Sequence, residues 1–299
     1  MAQVTSIPRW RAWILGARPR TLPAAVAPVF VGSALAYADD GFSFWPALAA
    51  LLAALLIQIG TNLANDYFDH IRGFDTVERK GPLRVAQSGL IPMGQLKLGT
   101  ILVFAVTAAI GVYLIVVGGW PILAIGLTSI LAAVAYSGGP YPLSSHGLGD
   151  IFAFVFFGLV AVFGTYYVQT LHYSALALYV AIPIGALTTA ILIVNNYRDL
   201  ETDTKVGKRT LAVMIGLAGS RIEYIATLVL AYGTPLVLWL AGQLSAWVLL
   251  TWLSLPLAVK LVRTLYRSTS GPVMNEALAG TARLDLVFSL LFTVGLVLS

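Results

Sequence analysis

Two short stretches hold most of the residues that could do chemistry. The first, NLANDYFDHIRGFD, runs from Asn62 to Asp75 and contains three aspartates, two asparagines and an arginine. The second, NNYRDLETDTKVGKR, runs from Asn195 to Arg209. In the first, Asn62, Asn65, Asp66 and Asp69 follow the i, i+3, i+4, i+7 pattern that lines one face of a helix. In the second, Asn195, Asp199 and Asp203 follow i, i+4, i+8, again close to one face. Each helix is therefore expected to present an oxygen-rich stripe. Carboxylates this close repel each other, which costs stability unless a cation lies among them. Hard oxygen donors without Cys favour Mg²⁺ over zinc, and Mg²⁺ commonly completes its shell with water and substrate phosphates.

Lys80, Arg84, Lys208 and Arg209 follow the acids in the two loops. Acids, a divalent ion and Lys/Arg together make a polyphosphate site, able to stabilise charge on a departing diphosphate. No G-x-x-x-x-G-K-[ST] stretch is present, so a nucleoside triphosphate is not expected. A solvated loop face is the ordinary reading of any one of these residues. Two matched clusters on helical spacing depart from it, and ionisable side chains at a membrane edge usually mark function.

The elements that must carry these residues are apolar. The chain of 299 residues is 59% hydrophobic and 10% charged, with a mean hydropathy of +0.86, whereas globular chains carry roughly a quarter charged residues. Apolar runs long enough to span a bilayer recur to the C-terminus, and no cleaved signal peptide is expected. There is no cysteine, which excludes disulfides, thiolate metal ligands and a catalytic thiol. The reading is an all-α, polytopic membrane protein with nine transmembrane helices in two related halves around a central cavity. The helices are expected near 22–38, 46–66, 98–118, 121–137, 149–168, 174–194, 223–241, 245–265 and 281–298, as one domain over 1–299. The turns DDGFSFWP, GGWP, SGGPYP and AGQLS separate them.

With nine spans, all 18 Lys and Arg residues, Arg79 among them, fall on one side. The positive-inside rule makes that side cytoplasmic, with the N-terminus and both acidic loops inside and the C-terminus outside. The basic balance is then explained by topology and by anionic lipid head groups, and no nucleic-acid partner is expected. The two clusters also resemble each other: NDYFD at 65–69 aligns with NNYRD at 195–199, at an offset of 130 residues. Both follow an apolar helix, which points to an internal repeat whose polar ends meet at one site.

The stretches ARPRTLPAAVAPVFVG (17–32), NLANDYFDHIRGFDTVERKGPLRVAQSGLIP (62–92) and NNYRDLETDTKVGKRTLAV (195–213) resemble the UbiA superfamily of intramembrane aromatic prenyltransferases. Within it they are most similar to the 1,4-dihydroxy-2-naphthoate prenyltransferases of menaquinone biosynthesis. The family's first motif, N-D-x-x-D-x-x-x-D, is met by Asn65, Asp66 and Asp69. Its last aspartate would fall on Gly73, and Asp75, two residues on, is expected in its place. The second motif, D-x-x-x-D, is Asp199 and Asp203.

The resemblance implies Mg²⁺ bound by these aspartates with Asn62. It also implies diphosphate held by Lys80, Arg84, Lys208 and Arg209 beside Asn65 and Asn195, and the aromatic acid held by Arg20. The implied reaction ionises a long-chain allylic prenyl diphosphate, and the dihydroxynaphthoate ring attacks the resulting cation. Diphosphate and CO₂ are lost and demethylmenaquinol is formed, in a bacterial inner membrane. The alternatives are a family member acting on another aromatic acceptor, as in a related quinone or phylloquinone pathway, and a secondary transporter. A CDP-alcohol phosphotransferase would need D-G-x-x-A-R, which is absent.

Other residues carry two readings each. Tyr67, Tyr136, Tyr141 and Tyr197 could anchor at the interface or face a cation. The stretch YSGGPYPLSSHGLGD (136–150) is a Gly/Pro turn or a cap over the site, with Asp150 a possible substrate contact. His70 is a proton acceptor or a helix-edge hydrogen-bonding group.

Overall fold

The computed structural model describes residues 7–75 and 80–299. Arg79, counted above among the cytoplasmic bases, lies outside the described residues. The described residues are all-helical, and the only extended pairing among them is one parallel bridge between His146 and Arg209. The helices are α1 (Arg9–Ala17), α2 (Pro23–Ala38), α3 (Phe44–Ile71), α4 (Met93–Ser137), α5 (Gly149–Ala153), α6 (Ala161–Thr170), α7 (Ala175–Lys205), α8 (Leu211–Leu240), α9 (Leu255–Arg267) and α10 (Gly271–Val297). A π-helical segment, Phe154–Val160, joins α5 to α6, and a 3-10 segment, Ala246–Ser254, leads into α9.

Seven helices among the described residues are long and apolar enough to cross a membrane, or up to eight if the bent pair Arg9–Thr21 and Pro23–Ala38 counts as one span. Two long helices are broken by glycine. At Gly119 in α4 and Gly216 in α8 the φ angles are 69° and 70°, a conformation open to glycine and strained for other residues. The chain is an integral membrane protein. Large apolar side chains such as Leu98, Ile101, Leu102, Val116 and Leu131 lie exposed along α4, a surface suited to lipid tails. Trp45, Trp120 and Trp247 are exposed at helix ends, where amphipathic rings favour the membrane–water boundary.

The motif helices run beyond their apolar stretches. The sequence suggested ends near 66 and 194, but α3 reaches Ile71 and α7 reaches Lys205. Their polar residues continue the helix because they face partners rather than lipid. Similarly, α10 begins at Gly271 rather than near 281, and this extra length carries Asn275 to the second motif. Helix α7 is the central post, buried along most of its length. Its close approach to the π-segment rests on glycine: a Cβ on Gly158 would lie 2.5 Å from the Gly185 Cα. Helix α3 packs mainly on α4, and α7 mainly on α8.

Candidate active site

A cavity of about 550 Å³ lies between α2, α3, α4, the α5–α6 unit and α7. One end is polar, lined by Arg18, Asn62, Asn65, Arg84, Asn195, Asp199, Asp203 and Lys208. The rest is apolar, walled by Ala, Val, Ile, Leu and Phe side chains.

The first motif is built around Arg84. Its guanidinium contacts Asp66 Oδ1 and lies 3.4 Å from Asp69 Oδ2 and 3.3 Å from Asp75 Oδ1. Arg18 also contacts Asp66 Oδ1, and its Nη2 donates to Asn65 Oδ1 at 3.2 Å. The backbone N–H of Val85 donates to Asp66 Oδ2 at 3.2 Å, and Lys208 Nζ lies 3.3 Å from Asp69 Oδ2. Asp66 and Asp69 are each 1% exposed, and burying two carboxylates is costly unless bases such as these pair with them. The mutual repulsion expected of the stripe is therefore relieved by guanidinium and ammonium groups. Asp69 Oδ1 is buried and has no hydrogen-bond partner among the described residues.

Arg18 reaches this cluster because of its backbone. It sits at φ 52°, ψ 70° in the bend between α1 and α2, where the axes turn by 52°. A non-glycine residue in this region costs about 1–2 kcal/mol, and such strain tends to collect at functional sites. The bend is tied to α3 through Thr21, whose hydroxyl accepts from Gln58 Nε2 and Asn62 Nδ2, both at 3.0 Å. Asn62 also donates to Ala17 O at 2.9 Å, so its amide nitrogen holds the bend in place.

The second motif is held by Arg198. Its Nε donates to Asp199 Oδ1 at 2.8 Å and its Nη2 to Asp199 Oδ2 at 2.6 Å. The same guanidinium donates to Asn195 Oδ1 at 2.9 Å and to Asn275 Oδ1 of α10 at 2.8 Å.

The structure thus gathers Asn62, Asn65, Asp66, Asp69, Asp75, Arg84, Asn195, Asp199, Asp203 and Lys208 at one end of the cavity. Three expected bases lie elsewhere. Arg20 is exposed and absent from the cavity wall, whereas Arg18, two residues earlier, lines it. Lys80 pairs with Glu201 at 2.6 Å at the surface, outside the cavity wall. Arg209 is exposed, and its backbone N–H donates to Ser145 O at 3.2 Å. Sequence reasoning missed Arg18, Arg198, Asn275 and Ser137, which accepts from Asn65 Nδ2 at 2.8 Å. Arg18, Arg198 and Ser137 lay inside stretches the sequence singled out, in ARPRTLP, NNYRD and YSGGPYP, whereas Asn275 gave no signal. No group of three His, Asp or Glu side chains among the described residues is arranged to hold a metal.

The family model described as the UbiA prenyltransferase family matches residues 25–296. The chain belongs to the UbiA prenyltransferase family. It is 38% identical over 296 residues to a 1,4-dihydroxy-2-naphthoate octaprenyltransferase of Haemophilus influenzae, covering 96% of each chain. It is 32% identical to the protein of that name from Bacillus subtilis, covering 94% of this chain and 91% of the relative. Among solved structures, a UbiA homolog from Aeropyrum pernix superposes with a TM-score of 0.70 at 16% identity, covering 93% of this chain and 97% of that one. A UbiA homolog from Archaeoglobus fulgidus bound to GPP and Mg²⁺ gives 0.67 at 14% identity, covering 95% and 100%. As a UbiA family member the chain is a prenyltransferase, and its two aspartate motifs face each other across the polar end of one cavity.

Proposed function

We propose that this enzyme transfers an isoprenoid chain from an allylic prenyl diphosphate to 1,4-dihydroxy-2-naphthoate, releasing diphosphate and CO₂ and giving demethylmenaquinol. The observation that carries the reading is the two-ended cavity. Bases and carboxylates from α3, α7 and their loops converge at one end, and an apolar chamber extends from them between the helices. A molecule with a polyanionic head and a long hydrocarbon tail matches both ends at once. The naphthoate acceptor rests on the named relatives, whose identity to this chain extends over nearly its whole length.

The residues fit a divalent ion. Asp69 Oδ1 is buried with its acceptor capacity unused among the described residues, and Asp199 and Asp203 line the cavity from the other side. Mg²⁺ needs only one or two carboxylates when phosphates complete its shell, so a site without three preassembled ligands is consistent with an ion that arrives with the substrate. Asp66, Asp69, Asp75, Asp199 and Asp203 would hold it. Bound there, Mg²⁺ would supply positive charge to offset that on the leaving diphosphate.

The chain's own residues supply the rest. Arg18, Arg84 and Lys208 offer N–H donors to diphosphate oxygens, interactions that strengthen as negative charge builds on the leaving group. The apolar walls exclude water, which would otherwise capture the allylic cation before the ring does. Small residues on the cavity wall, such as Ala25 on α2, Ala54 on α3 and Gly111 on α4, leave room for the isoprenoid tail. Counting the two arms of α4 either side of Gly119 separately, and the bent pair at the N-terminus as one, gives nine crossings. On that count both motifs lie at the cytoplasmic face with the basic loops, and the C-terminus lies outside.

The test uses purified protein in nanodiscs, given prenyl diphosphates of several lengths and 1,4-dihydroxy-2-naphthoate with Mg²⁺ or EDTA. Mass spectrometry follows the prenylated quinol and the diphosphate. Mg²⁺-dependent product lost in Asp69→Asn is the expected result. Diphosphate release without prenylated naphthoquinol moves the acceptor to another aromatic. Folded protein that releases no diphosphate from any chain length overturns the reading.

A further inference from the structure

The diphosphate end does not account for a second polar patch on the same cavity. The 138–148 stretch contributes Ser144 to the cavity wall and is fastened to both motif loops. Arg72 donates to the carbonyls of Ser137 and Gly139, the latter at 2.6 Å. Arg209 N–H donates to Ser145 O at 3.2 Å, and His146 is stacked on Tyr141 with centroids 3.6 Å apart. These tethers hold the segment, called the cap below, against the polar end of the cavity.

Beneath the cap, three elements each bury a polar side-chain atom that has no partner among the described residues. These include Ser144 Oγ, with its neighbour Ser145 Oγ, on the cap, Asp150 Oδ1 at the start of α5 and Thr188 Oγ1 on α7. Ser144, Asp150 and Thr188 are 7%, 5% and 5% exposed. Buried polar groups are rarely left unsatisfied, so Ser144 and Thr188, unpartnered on the wall of one cavity, point to a ligand there. Ser144 and Thr188 line the cavity directly, as does Tyr136. A Cβ on Gly149 would lie 3.4 Å from the Tyr136 hydroxyl, which places that hydroxyl against the start of α5, beside Asp150. Helix α7 is held at this depth by the Gly158–Gly185 approach, and Thr189 Oγ1 donates to Asp150 O at 3.4 Å.

The chemistry of the patch differs from that of the diphosphate end. Residues 136–150 contain no Lys or Arg, so nothing in the cap favours an anion. A carboxylate only accepts hydrogen bonds, and hydroxyls both accept and donate. The matching ligand group is an O–H donor. Phe152 and Phe156, stacked at 5.6 Å with 18° between their planes, line the adjoining wall, a surface that suits a flat aromatic ring. The π-helical turn that begins at Phe154 adjoins this wall, and such turns are frequent at functional sites.

We propose that this patch is the acceptor's hydroxyl subsite. Ser144, Thr188 and Tyr136 hold the hydroxyl-bearing edge of an aromatic diol, and Asp150, buried at the start of α5 where the Tyr136 hydroxyl rests, is a positioning residue whose charge bears on that hydroxyl. The inference rests on the proposed reaction and adds which residues choose its acceptor. It makes the enzyme selective for a diol over the corresponding mono-ol, because a site built to bond a hydroxyl is left with unpaired groups when the hydroxyl is missing.

The experiment measures, for wild type, Ser144→Ala, Thr188→Val and Asp150→Asn in nanodiscs, the KM for 1,4-dihydroxy-2-naphthoate and the KM for prenyl diphosphate. The inhibition constant of 1-hydroxy-2-naphthoate is measured alongside. Binding of an unreactive prenyl thiodiphosphate confirms that each variant is folded. In each variant the acceptor KM rises about tenfold, which corresponds to about 1.4 kcal/mol. The prenyl diphosphate KM stays within about twofold, and the preference for diol over mono-ol shrinks. Variants that bind the thiodiphosphate but keep the wild-type preference overturn the subsite and leave the prenyl-transfer reading standing. Wild type that prenylates no aromatic diol overturns that reading, and the subsite with it.

Discussion

Arg198 and its chain neighbour Asp199 form a two-point ion pair inside the protein, Nε to Oδ1 at 2.8 Å and Nη2 to Oδ2 at 2.6 Å. Adjacent residues on a helix point in different directions, so the pair closes only because the long guanidinium folds back along α7. Asn195 and Asn275 hold it there. Asp199 lines the cavity, so the pair joins the wall of the site to α10. It also bears on how the second motif would meet a metal, since Arg198 competes for the same carboxylate.

Breaking this pair from the arginine side is expected to unsettle the fold. Arg198 is 2% exposed, and removing one partner of a buried pair costs about 3–5 kcal/mol. Arg198→Ala should lower the midpoint of thermal unfolding in detergent clearly, and Arg198→Lys should only partly restore it because an ammonium cannot make the two-point contact. An unchanged midpoint in Arg198→Ala would mean that Asp199 finds other donors.

Asp69 offers the cleaner test of metal use. Asp69→Asn keeps the size of the side chain and removes the charge facing Lys208 and Arg84. Turnover should fall on the order of a thousandfold, the scale seen when a preorganised electrostatic partner of a transition state is lost. Thermal stability with and without Mg²⁺, measured in the presence of prenyl diphosphate, provides a second readout. Wild type should gain stability from Mg²⁺ through ligand linkage, and Asp69→Asn should gain far less. Equal gains would remove Asp69 from the metal site.

Gly158 gives a prediction about packing. Its missing side chain lets the π-segment rest on α7, and a Cβ there would meet the Gly185 Cα at 2.5 Å and the Ala181 carbonyl oxygen at 3.1 Å. Backbone cannot yield as a side-chain tip can, so Gly158→Ala should cost about 1–3 kcal/mol. The cavity wall at Phe157 and Val160 would shift with it. Unfolding in detergent measures the loss, and wild-type stability would contradict the close approach.

Much of this arrangement was legible from residue types and spacing. The oxygen-rich face of α3 follows from Asn62, Asn65, Asp66 and Asp69 at helical spacing, and the structure places all four at or beside the polar end of one cavity. The helix ends were less legible. Apolar length marks where lipid contact stops, but α3 and α7 continue as long as their polar side chains have partners, through Asp69 with Lys208 and through Asp199 with Arg198. The choice among bases was not legible at all. Lys80, Arg84, Lys208 and Arg209 look equivalent as charges in two loops, yet only Arg84 and Lys208 line the cavity. That choice depends on tertiary direction, which spacing does not encode.

Arg18 and Arg20 show the same point in the sharpest form. They stand two residues apart in RPRT, and composition cannot rank them. The left-handed backbone at Arg18, φ 52°, turns its side chain back toward α3, where it meets Asp66 and Asn65. Arg20 lies in the following 3-10 turn and is exposed. Arg18→Ala should therefore lower kcat/KM for prenyl diphosphate about a hundredfold, as loss of one aligned donor does. Arg20→Ala should stay within about threefold, as expected of a surface charge screened by salt. Arg18→Gly separates the two contributions of this residue. Glycine adopts φ 52° without strain, so thermal stability should fall less than in Arg18→Ala while the kinetic defect remains. If Arg20→Ala proves the more damaging, the bend must reorient on substrate binding and present Arg20 in place of Arg18.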